Sequence, residues 1–378
     1  MPGRDRPPVV LLAGIRWDFL WQRHQTLAAL FARAGYPTVF VETTGLRNPR
    51  PGSGFLRKAA SRLRRAARRP RGPSGGGPAV YPPLVAPPTL RAFRALNRRV
   101  FVPRAAREIL ALCGAPPVVI AYPPTQTTLD LVSALRPRLV LYDCSEEYAG
   151  MPGVPGDIEE TEGRLLRRAD LVCCTSEPLL ERVRRVRPDA FLSGPGVDLG
   201  LFEPLSRKPF PGRVRTVGYF GHLSRERTDF AALRAISAAG FRVRLVGGLG
   251  EVDPSFLEAP GMDYRGEVPH RRLPEALAGV DALVLPYLVN RMTRGMAPAK
   301  LYECLATGRP VVGPPLPALV RLGGHVYLAG SPGEYVAVLR RLAELESEER
   351  RRARVELARR NTWERRFAEL EAALWSRL

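Results

Sequence analysis

Apolar positions in the first half of the chain form short continuous runs, separated by longer stretches with helical spacing. These runs predict strands at Pro8–Gly14, Thr38–Glu42, Val118–Ala121, Leu139–Tyr142 and Leu171–Thr175. Between the first two runs, Leu20–Ala34 has the apolar spacing of a helix, and Gly35 is typical of the residue that follows one. Continuous apolar strands that alternate with helices predict a parallel sheet covered on both faces.

The second half repeats this alternation. Strands are predicted at Arg215–Phe220, Arg242–Val246, Ala282–Pro286 and Pro310–Val312, and helices at Asp229–Ala239 and Pro298–Thr307. Residues 200–212 are proline-rich and lack periodicity, which predicts an interdomain linker. A chain of 378 residues is too long for one ordinary core. The pattern therefore predicts two doubly wound α/β domains that bind ligands at the carboxyl ends of their strands.

Charge adds a possible partner class. The net charge is +21, and it is carried by arginine, since lysine occurs only at positions 58, 208 and 300. This excess of arginine has two interpretations. It reflects the base composition of the genome, or it indicates association with polyanions such as nucleic acid, phosphorylated sugars or an anionic membrane. In the basic segment 47–72, Phe55–Arg69 has the pattern of an amphipathic helix. A membrane-surface helix, a nucleic-acid patch and a solvated loop all fit this segment.

Cysteine usage indicates a reducing compartment. Five cysteines lie at positions 113, 144, 173, 174 and 304, without a CxxC pair. This set argues against a disulfide framework or a zinc site, and Cys173–Cys174 is typical of strand packing. The apolar stretch Val9–Ile15 is too short for a signal peptide, and no apolar run is long enough to cross a bilayer. We therefore expect a cytoplasmic protein.

The stretch MAPAKLYECLATGRPVV, residues 296–312, places two charges in an apolar helix. Lys300 and Glu303 lie about one turn apart and share a face. A surface ion pair is one interpretation, but the apolar neighbours leave little of the helix for solvent. A lysine near a helix start suits an anion, and a carboxylate one turn on can accept hydrogen bonds from vicinal hydroxyls. A phosphate and a ribose at that separation are two parts of one nucleotide, so the pair of side chains predicts a nucleotide-binding site.

Several stretches, in order, resemble segments of one enzyme family. They are WDFLWQRHQTLAALFARAGYPTVFVE, RRADLVCCTSEPLLERV, GPGVDLGLFEP, VGYFGHLSRERTDF, LAGVDALVLPY, PAKLYECLATGRPVV and NTWERRF. Over nearly its whole length the chain resembles the retaining, family-4-like glycosyltransferases of the GT-B fold. The resemblance implies two Rossmann-like domains that face each other across a cleft. It implies an acceptor-binding domain at 1–198, completed by a C-terminal helix at 360–378, and a nucleotide-sugar-binding domain at 199–359.

The resemblance also implies roles for individual residues. Glu303 matches the glutamate that binds the donor ribose, and Lys300 and Arg227 match diphosphate contacts, with Arg225 as a substitute for Arg227. Further donor-binding positions are Gly14, Gly221, His222 and Pro298. For His222 a second interpretation stays open, namely a loop histidine satisfied by backbone.

Two departures from the family pattern affect the sugar and the acceptor. Many relatives carry a second glutamate before the one at Glu303, but that region holds Gly295, so Asn290, Arg291 and Thr293 are the substitutes. In place of a family histidine the chain reads YDCSEEYAGMPG. The expected acceptor-side residues are Trp17, Arg23, Asp143 and Glu146. For the carboxylates of this loop, including Glu147, a solvated surface loop is the alternative.

The implied reaction moves a sugar from a nucleotide-sugar donor to a hydroxyl acceptor, with retention of configuration. The acceptor would be a glycan or a lipid-linked intermediate at the inner face of the membrane. No Asp-x-Asp motif occurs, so we expect no metal and no other cofactor. Three alternatives remain open: a nucleotide-sugar 2-epimerase, a degenerate enzyme that binds nucleotide sugar without turnover, and a nucleic-acid-binding protein. No recognised nucleic-acid module supports the last.

Overall fold

The protein forms two compact units. This computed structural model describes residues 6–46, 76–86, 91–250 and 252–378. Unit 1 reaches to Ser193 and takes up the C-terminal stretch Phe367–Leu378, and unit 2 contains Gly194–Arg366. The basic segment 47–72, with its predicted helix Phe55–Arg69, lies outside the described residues.

Unit 1 is built on a parallel sheet. Its described strands are β1 (Val9–Leu12), β2 (Thr38–Val41), β3 (Ala79–Tyr81), β4 (Val118–Ala121), β5 (Leu139–Cys144), β6 (Leu171–Cys174) and β7 (Phe191–Leu192). They pair in parallel in the order β3-β2-β1-β4-β5-β6-β7. The strand order therefore reverses between β1 and β4, which is the position where doubly wound folds bind ligands.

Helices connect these strands. They are α1 (Arg23–Arg33), α2 (Arg91–Leu96), a π-helical turn (Asn97–Phe101), α3 (Val102–Cys113), α4 (Gln126–Leu135), α5 (Ile158–Arg168) and α6 (Glu177–Arg184). The sequence supplies their ends: Thr125 and Ser176 accept backbone hydrogen bonds at two helix starts, and Gly114 takes the left-handed conformation after α3.

Unit 2 repeats the plan with a second parallel sheet. Its described strands are β8 (Thr216–Phe220), β9 (Arg242–Val246), β10 (Met262–Tyr264), β11 (Ala282–Val284), β12 (Val311–Gly313) and β13 (Tyr327–Leu328). Their order is β10-β9-β8-β11-β12-β13. Here the reversal lies between β8 and β11, so the loops that follow these two strands are the expected ligand-binding loops.

The helices of unit 2 range from four to 14 residues, and the longest lie towards the C-terminus. They are α7 (Leu199–Phe202), α8 (Phe230–Ala238), α9 (Leu273–Ala276), α10 (Arg291–Arg294), α11 (Leu301–Ala306), α12 (Pro317–Val320), α13 (Pro332–Leu345) and α14 (Glu348–Arg359). The last helix, α15 (Trp363–Trp375), begins in unit 2 and continues into unit 1. Among the described residues, no helix has the length and apolarity that crossing a membrane requires.

One prediction about the connection between the units is corrected. Residues 200–212 are not a structureless linker, because α7 and a 3-10 segment, Glu203–Arg207, occupy the first part. Phe202 is fully buried in the core of unit 2. Its ring stacks on that of Phe220, with 6.2 Å between the ring centroids. The proline-rich composition reflects short helical turns rather than an extended chain.

The strands carry the cores of both units. All residues of β1, β2, β4, β5 and β6 are buried, as the continuous apolar runs predicted. The five cysteines are buried and unpaired. Cys173 and Cys174 lie in β6 and are fully buried.

Candidate functional site

The sheet reversal of unit 2 gathers several of the predicted site residues. Gly221, His222 and Arg227 lie in the loop after β8, and Lys300 is the N-cap residue of α11. The backbone of this loop is tied to its surroundings, since Gly221 N–H donates to Val246 O at 2.8 Å and Leu288 N–H donates to Arg227 O at 2.9 Å.

Lys300 lies among three aromatic rings. Its Nζ is 4.2 Å from the ring centroid of Tyr219 and 5.7 Å from those of Phe220 and Tyr287. Nζ also donates a hydrogen bond to the Tyr219 hydroxyl at 3.1 Å. Ring faces stabilise a cation without neutralising it. Within the described residues no carboxylate pairs with Lys300, so its charge remains available to an anion.

Gly221 is the backbone neighbour of this ammonium. Its φ is +123°, and a Cβ built on it would overlap Lys300 Nζ and lie 3.0 Å from Cε. Gly247, after β9, comes equally close to the Gly221 backbone, because a Cβ there would overlap the Gly221 carbonyl. Both positions need glycine so that two loops and the lysine can meet at one point.

The charges around Lys300 favour an anion. Burial lowers the pKa of Lys300, but its tyrosine neighbours, Tyr219 and Tyr287, more than reverse this and raise the pKa above the ordinary lysine value. Burial lowers the pKa of His222, and the charges of Arg227 and Lys300 lower it further, against the opposing effect of Glu267. His222 is therefore neutral at pH 7, while Lys300 and Arg227 act on the same surroundings as cations.

Glu303 does not pair with Lys300. Its Oε1 lies 2.7 Å from His270 Nε2, and the Glu303 residue is 9% exposed. Burial lowers the pKa of His270, but the hydrogen bond and charge of Glu303, with the charge of Asp198, raise it above the ordinary histidine value. The two charges of the stretch 296–312 therefore have separate partners, and the structure does not show the surface ion pair.

His270 was missed by the sequence reasoning. It opens a 3-10 turn, His270–Arg272, between β10 and α9, and lies 33 positions before its partner Glu303. The available signal was its rarity, since the chain has only four histidines.

The helix that carries the motif is shorter than predicted. α11 begins at Leu301 rather than Pro298, and Lys300 is its N-cap residue, with φ of −86° and ψ of 1°. Pro298 lies before the helix, and its carbonyl accepts a hydrogen bond from Leu301 N–H at 2.9 Å. Glu303 therefore lies in the first turn. The six residues of α11 give little helix dipole, so Lys300 itself supplies most of the positive charge.

Asn290 and Thr293 have a different role from the predicted contact with the sugar. They form a reciprocal capping box at the start of α10, with Thr293 N–H donating to Asn290 Oδ1 at 3.0 Å. Thr293 is fully buried, and its hydroxyl donates to Leu288 O. Gly295 is the C-cap residue of this helix. Arg225 is exposed, and its charge acts on Asp253.

In unit 1, Gly14 and Trp17 follow β1. Gly14 has φ of +69°, and a Cβ there would lie 2.8 Å from Pro123 Cγ, so close approach of the two loops requires glycine. Trp17 donates its backbone N–H to Glu42 Oε1 at 2.9 Å and packs edge-on against Phe40 with 5.0 Å between centroids. Both residues lie near the reversal between β1 and β4.

Arg23 and Asp143 form a buried ion pair. Arg23 Nε donates to Asp143 Oδ2 at 2.7 Å and its Nη2 donates to Ser193 Oγ at 2.8 Å. Asp143 is fully buried and Arg23 is 6% exposed. The prediction that these two residues meet the acceptor is corrected, because their polar groups join the start of α1 to the end of β5.

The neighbouring carboxylates differ from one another. Glu147 is buried and forms an ion pair with Arg182, with 3.1 Å between Oε2 and Nε. The surface-loop alternative therefore fails for Glu147 as it does for Asp143. Glu146 is partly exposed, and its charge adds to burial in raising the pKa of Tyr148. Of the three carboxylates predicted in this loop, Asp143 and Glu147 are buried and Glu146 is partly exposed.

Comparison with known proteins shows which family and which relatives this chain resembles. Residues 225–372 match the model of a family described as glycosyl transferase-like. The chain is 26% identical over 260 residues to TuaH of Bacillus subtilis strain 168, whose name assigns it as a teichuronic acid biosynthesis glycosyltransferase. That match covers 61% of this chain and 65% of TuaH, somewhat less than two thirds of its length.

Solved structures share the fold over nearly the whole chain. One is Anabaena Alr3699/HepE in complex with UDP and glucose, with a TM-score of 0.68, 12% identity, and coverage of 98% of this chain and 100% of that one. Another is the apo form of the lipopolysaccharide outer core galactosyltransferase WaaB, with a TM-score of 0.59, 13% identity, and coverage of 99% and 100%. These likenesses and the two parallel Rossmann-like sheets show that the chain has the GT-B fold, and its second half resembles a glycosyl transferase-like family.

Proposed function

We propose that the protein transfers a sugar from a nucleotide-sugar donor to a hydroxyl acceptor. One observation carries the proposal: the Lys300 ammonium lies against Gly221 at the sheet reversal, without a carboxylate partner among the described residues. Glu303, three positions further on, supplies a fixed carboxylate. A cation at the N-cap of α11 and a carboxylate in its first turn suit the diphosphate and ribose of one nucleotide. HepE, which shares the fold, was solved with UDP.

The chemical role of the cations follows from the bond that breaks. When the sugar leaves the donor, negative charge develops on the diphosphate. Lys300 is held in place before the reaction, so it stabilises that charge without reorganisation, and Arg227 adds a second cation. We propose that these side chains take the place of a metal ion. Retention of configuration is part of the proposal and comes from the family resemblance.

The acceptor is proposed to be a glycan or a lipid-linked intermediate of the cell envelope, made on the cytoplasmic side of the membrane. The name of TuaH, which refers to teichuronic acid biosynthesis, supports this choice. Within unit 1 we propose that the acceptor meets the loops after β1 and β5, where Trp17 and Glu146 remain partly exposed.

An exposed face of unit 1 supports contact with an anionic membrane. Phe93, Leu96 and Val100 expose 37%, 40% and 49% of their surface on the continuous helical stretch from α2 through the π-helical turn. Arg98 and Arg99 on the same stretch are exposed. Apolar side chains beside arginines suit a bilayer surface with acidic headgroups.

Vesicle co-sedimentation tests this contact. The wild-type protein is expected to bind vesicles that contain anionic lipid and not vesicles of neutral lipid, and Val100→Glu is expected to weaken binding. Val320→Glu in unit 2 is the matched control, since Val320 is also 49% exposed. Equal sedimentation of the two variants would contradict a role for this face.

A thermal-shift screen of nucleotide sugars tests the proposed function, because a ligand that binds the native state raises its melting temperature. At least one nucleotide sugar is expected to stabilise wild type and to release its nucleoside diphosphate on incubation. Stabilisation without release by wild type would favour the degenerate alternative. Conversion of the donor to an epimeric nucleotide sugar, with the sugar–phosphate bond intact, would indicate the epimerase, and no stabilisation by any donor would contradict the proposal.

A further inference from the structure

Glu303 has a neighbour that fixes its direction. His270 Nε2 lies 2.7 Å from Glu303 Oε1, and the two side chains are only 24% and 12% exposed. A hydrogen bond between a carboxylate and an imidazole that carries charge is stronger than a neutral one. Within the described part of the chain, this is the hydrogen bond that orients the Glu303 carboxylate.

His270 is held in turn by α7. The ring of Phe202, the last residue of α7, meets the imidazole edge-on, with 5.7 Å between centroids and 64° between planes. Phe202 also stacks on Phe220, the residue before Gly221. Asp198, the N-cap residue of α7, adds a negative charge that favours protonated His270. The motif GPGVDLGLFEP therefore supplies both an apolar wall and a charge for this histidine.

We propose that His270 is a positioning residue that holds the Glu303 carboxylate in the direction in which it binds ribose hydroxyls, and that α7 holds His270. The inference rests on the proposed function and deepens it. With Oε1 held by His270, Oε2 is left to accept hydrogen bonds from the ribose hydroxyls.

The test measures UDP binding by calorimetry in a set of variants. His270→Ala is expected to weaken UDP binding about tenfold, the size of one charge-assisted hydrogen bond. His270→Gln can still donate to Glu303 and is expected to restore affinity to within about threefold of wild type. In a Glu303→Gln background, His270→Ala is expected to have little further effect, because coupled residues are not additive.

Two controls separate positioning from general damage. Inorganic pyrophosphate, which lacks ribose, is expected to bind His270→Ala as it binds wild type. His325→Ala removes a histidine of unit 2 between β12 and β13 and is expected to leave UDP binding unchanged. Thermal unfolding of each variant verifies that it is folded.

The outcomes separate the positioning role of His270 from the proposed function on which it rests. Wild-type affinity for UDP in His270→Ala would overturn the positioning role alone, and so would an undiminished loss in the Glu303→Gln background. Failure of His270→Gln to recover affinity, together with equal loss for pyrophosphate, would show a structural role instead. A wild-type protein that binds no nucleoside diphosphate would overturn this inference together with the proposed function.

Discussion

The Lys300 ammonium lies against the α-carbon of Gly221, so closely that any side chain at position 221 would displace it. The contact links the loop after β8 to the start of α11, across the point where the strand order of unit 2 reverses. The Lys300 ammonium is thereby placed beside the backbone of Gly221, which has no side chain, so an anionic group can reach the ammonium and the backbone together.

Gly221→Ala should separate the lysine from its position. The Cβ overlaps Nζ, so Lys300 must move, and we expect kcat/KM for the nucleotide-sugar donor to fall about a hundredfold. Gly240→Ala is the matched control, since Gly240 also has a positive φ, +91°, but open space around its α-carbon. Both variants carry backbone strain. An equal loss of activity in both would show that strain rather than lysine displacement is responsible.

Glu303→Gln should weaken the contact with the ribose and leave the contacts with the phosphates unchanged. The amide presents one acceptor oxygen instead of two, so we expect UDP affinity to fall about tenfold while the affinity for inorganic pyrophosphate is unchanged. Glu275→Gln, an exposed glutamate paired with Arg272, serves as control. Calorimetric titration with each ligand measures both. Equal weakening for UDP and pyrophosphate would contradict a ribose contact.

Acid should destabilise unit 1 through His24. Burial and the charge of Arg23 lower the pKa of His24 to about 3, so the folded protein keeps this imidazole neutral while the unfolded chain protonates it near pH 6.5. The stability from this group is complete above about pH 6.5 and is lost as the pH falls towards 3. His24→Phe should therefore flatten the decrease in unfolding free energy below pH 6.5. Parallel pH curves from urea denaturation for both proteins would argue against this.

Donor turnover should survive chelation. Lys300 and Arg227 are proposed to stabilise the leaving diphosphate without a divalent cation, so we expect EDTA to leave the rate of nucleoside diphosphate release unchanged. Loss of turnover with EDTA and recovery with Mg²⁺ or Mn²⁺ would show that a metal shares this role.

Central strands could be predicted closely, and peripheral ones could not. The run at Val118–Ala121 coincides with β4, because a strand buried on both faces is apolar throughout. The run at Arg242–Val246 coincides with β9, in which buried Val243 and Leu245 alternate with the two arginines. β10 and β13 have three and two residues, too few for any periodicity. The linker prediction failed because Phe202 is buried by partners distant in sequence.

The site was predictable where its chemistry lies in one short stretch. Lys300 and Glu303 stand out because charge is rare in MAPAKLYECLATGRPVV. Pairings between distant residues carry no such signal: Arg23 meets Asp143 across 120 positions, and His270 meets Glu303 across 33. Arg23 and Asp143 were therefore expected at the acceptor, although the fold uses them to satisfy each other.

Release of nucleoside diphosphate from a nucleotide-sugar donor by wild type and Lys300→Ala tests the central claim most directly. Lys208→Ala is the matched control, since Lys208 is an exposed lysine of the same unit. We expect Lys300→Ala to lower the release rate about a hundredfold or more and Lys208→Ala to match wild type. A Lys300→Ala protein that releases nucleoside diphosphate at the wild-type rate would contradict the claim that this cation stabilises the leaving group.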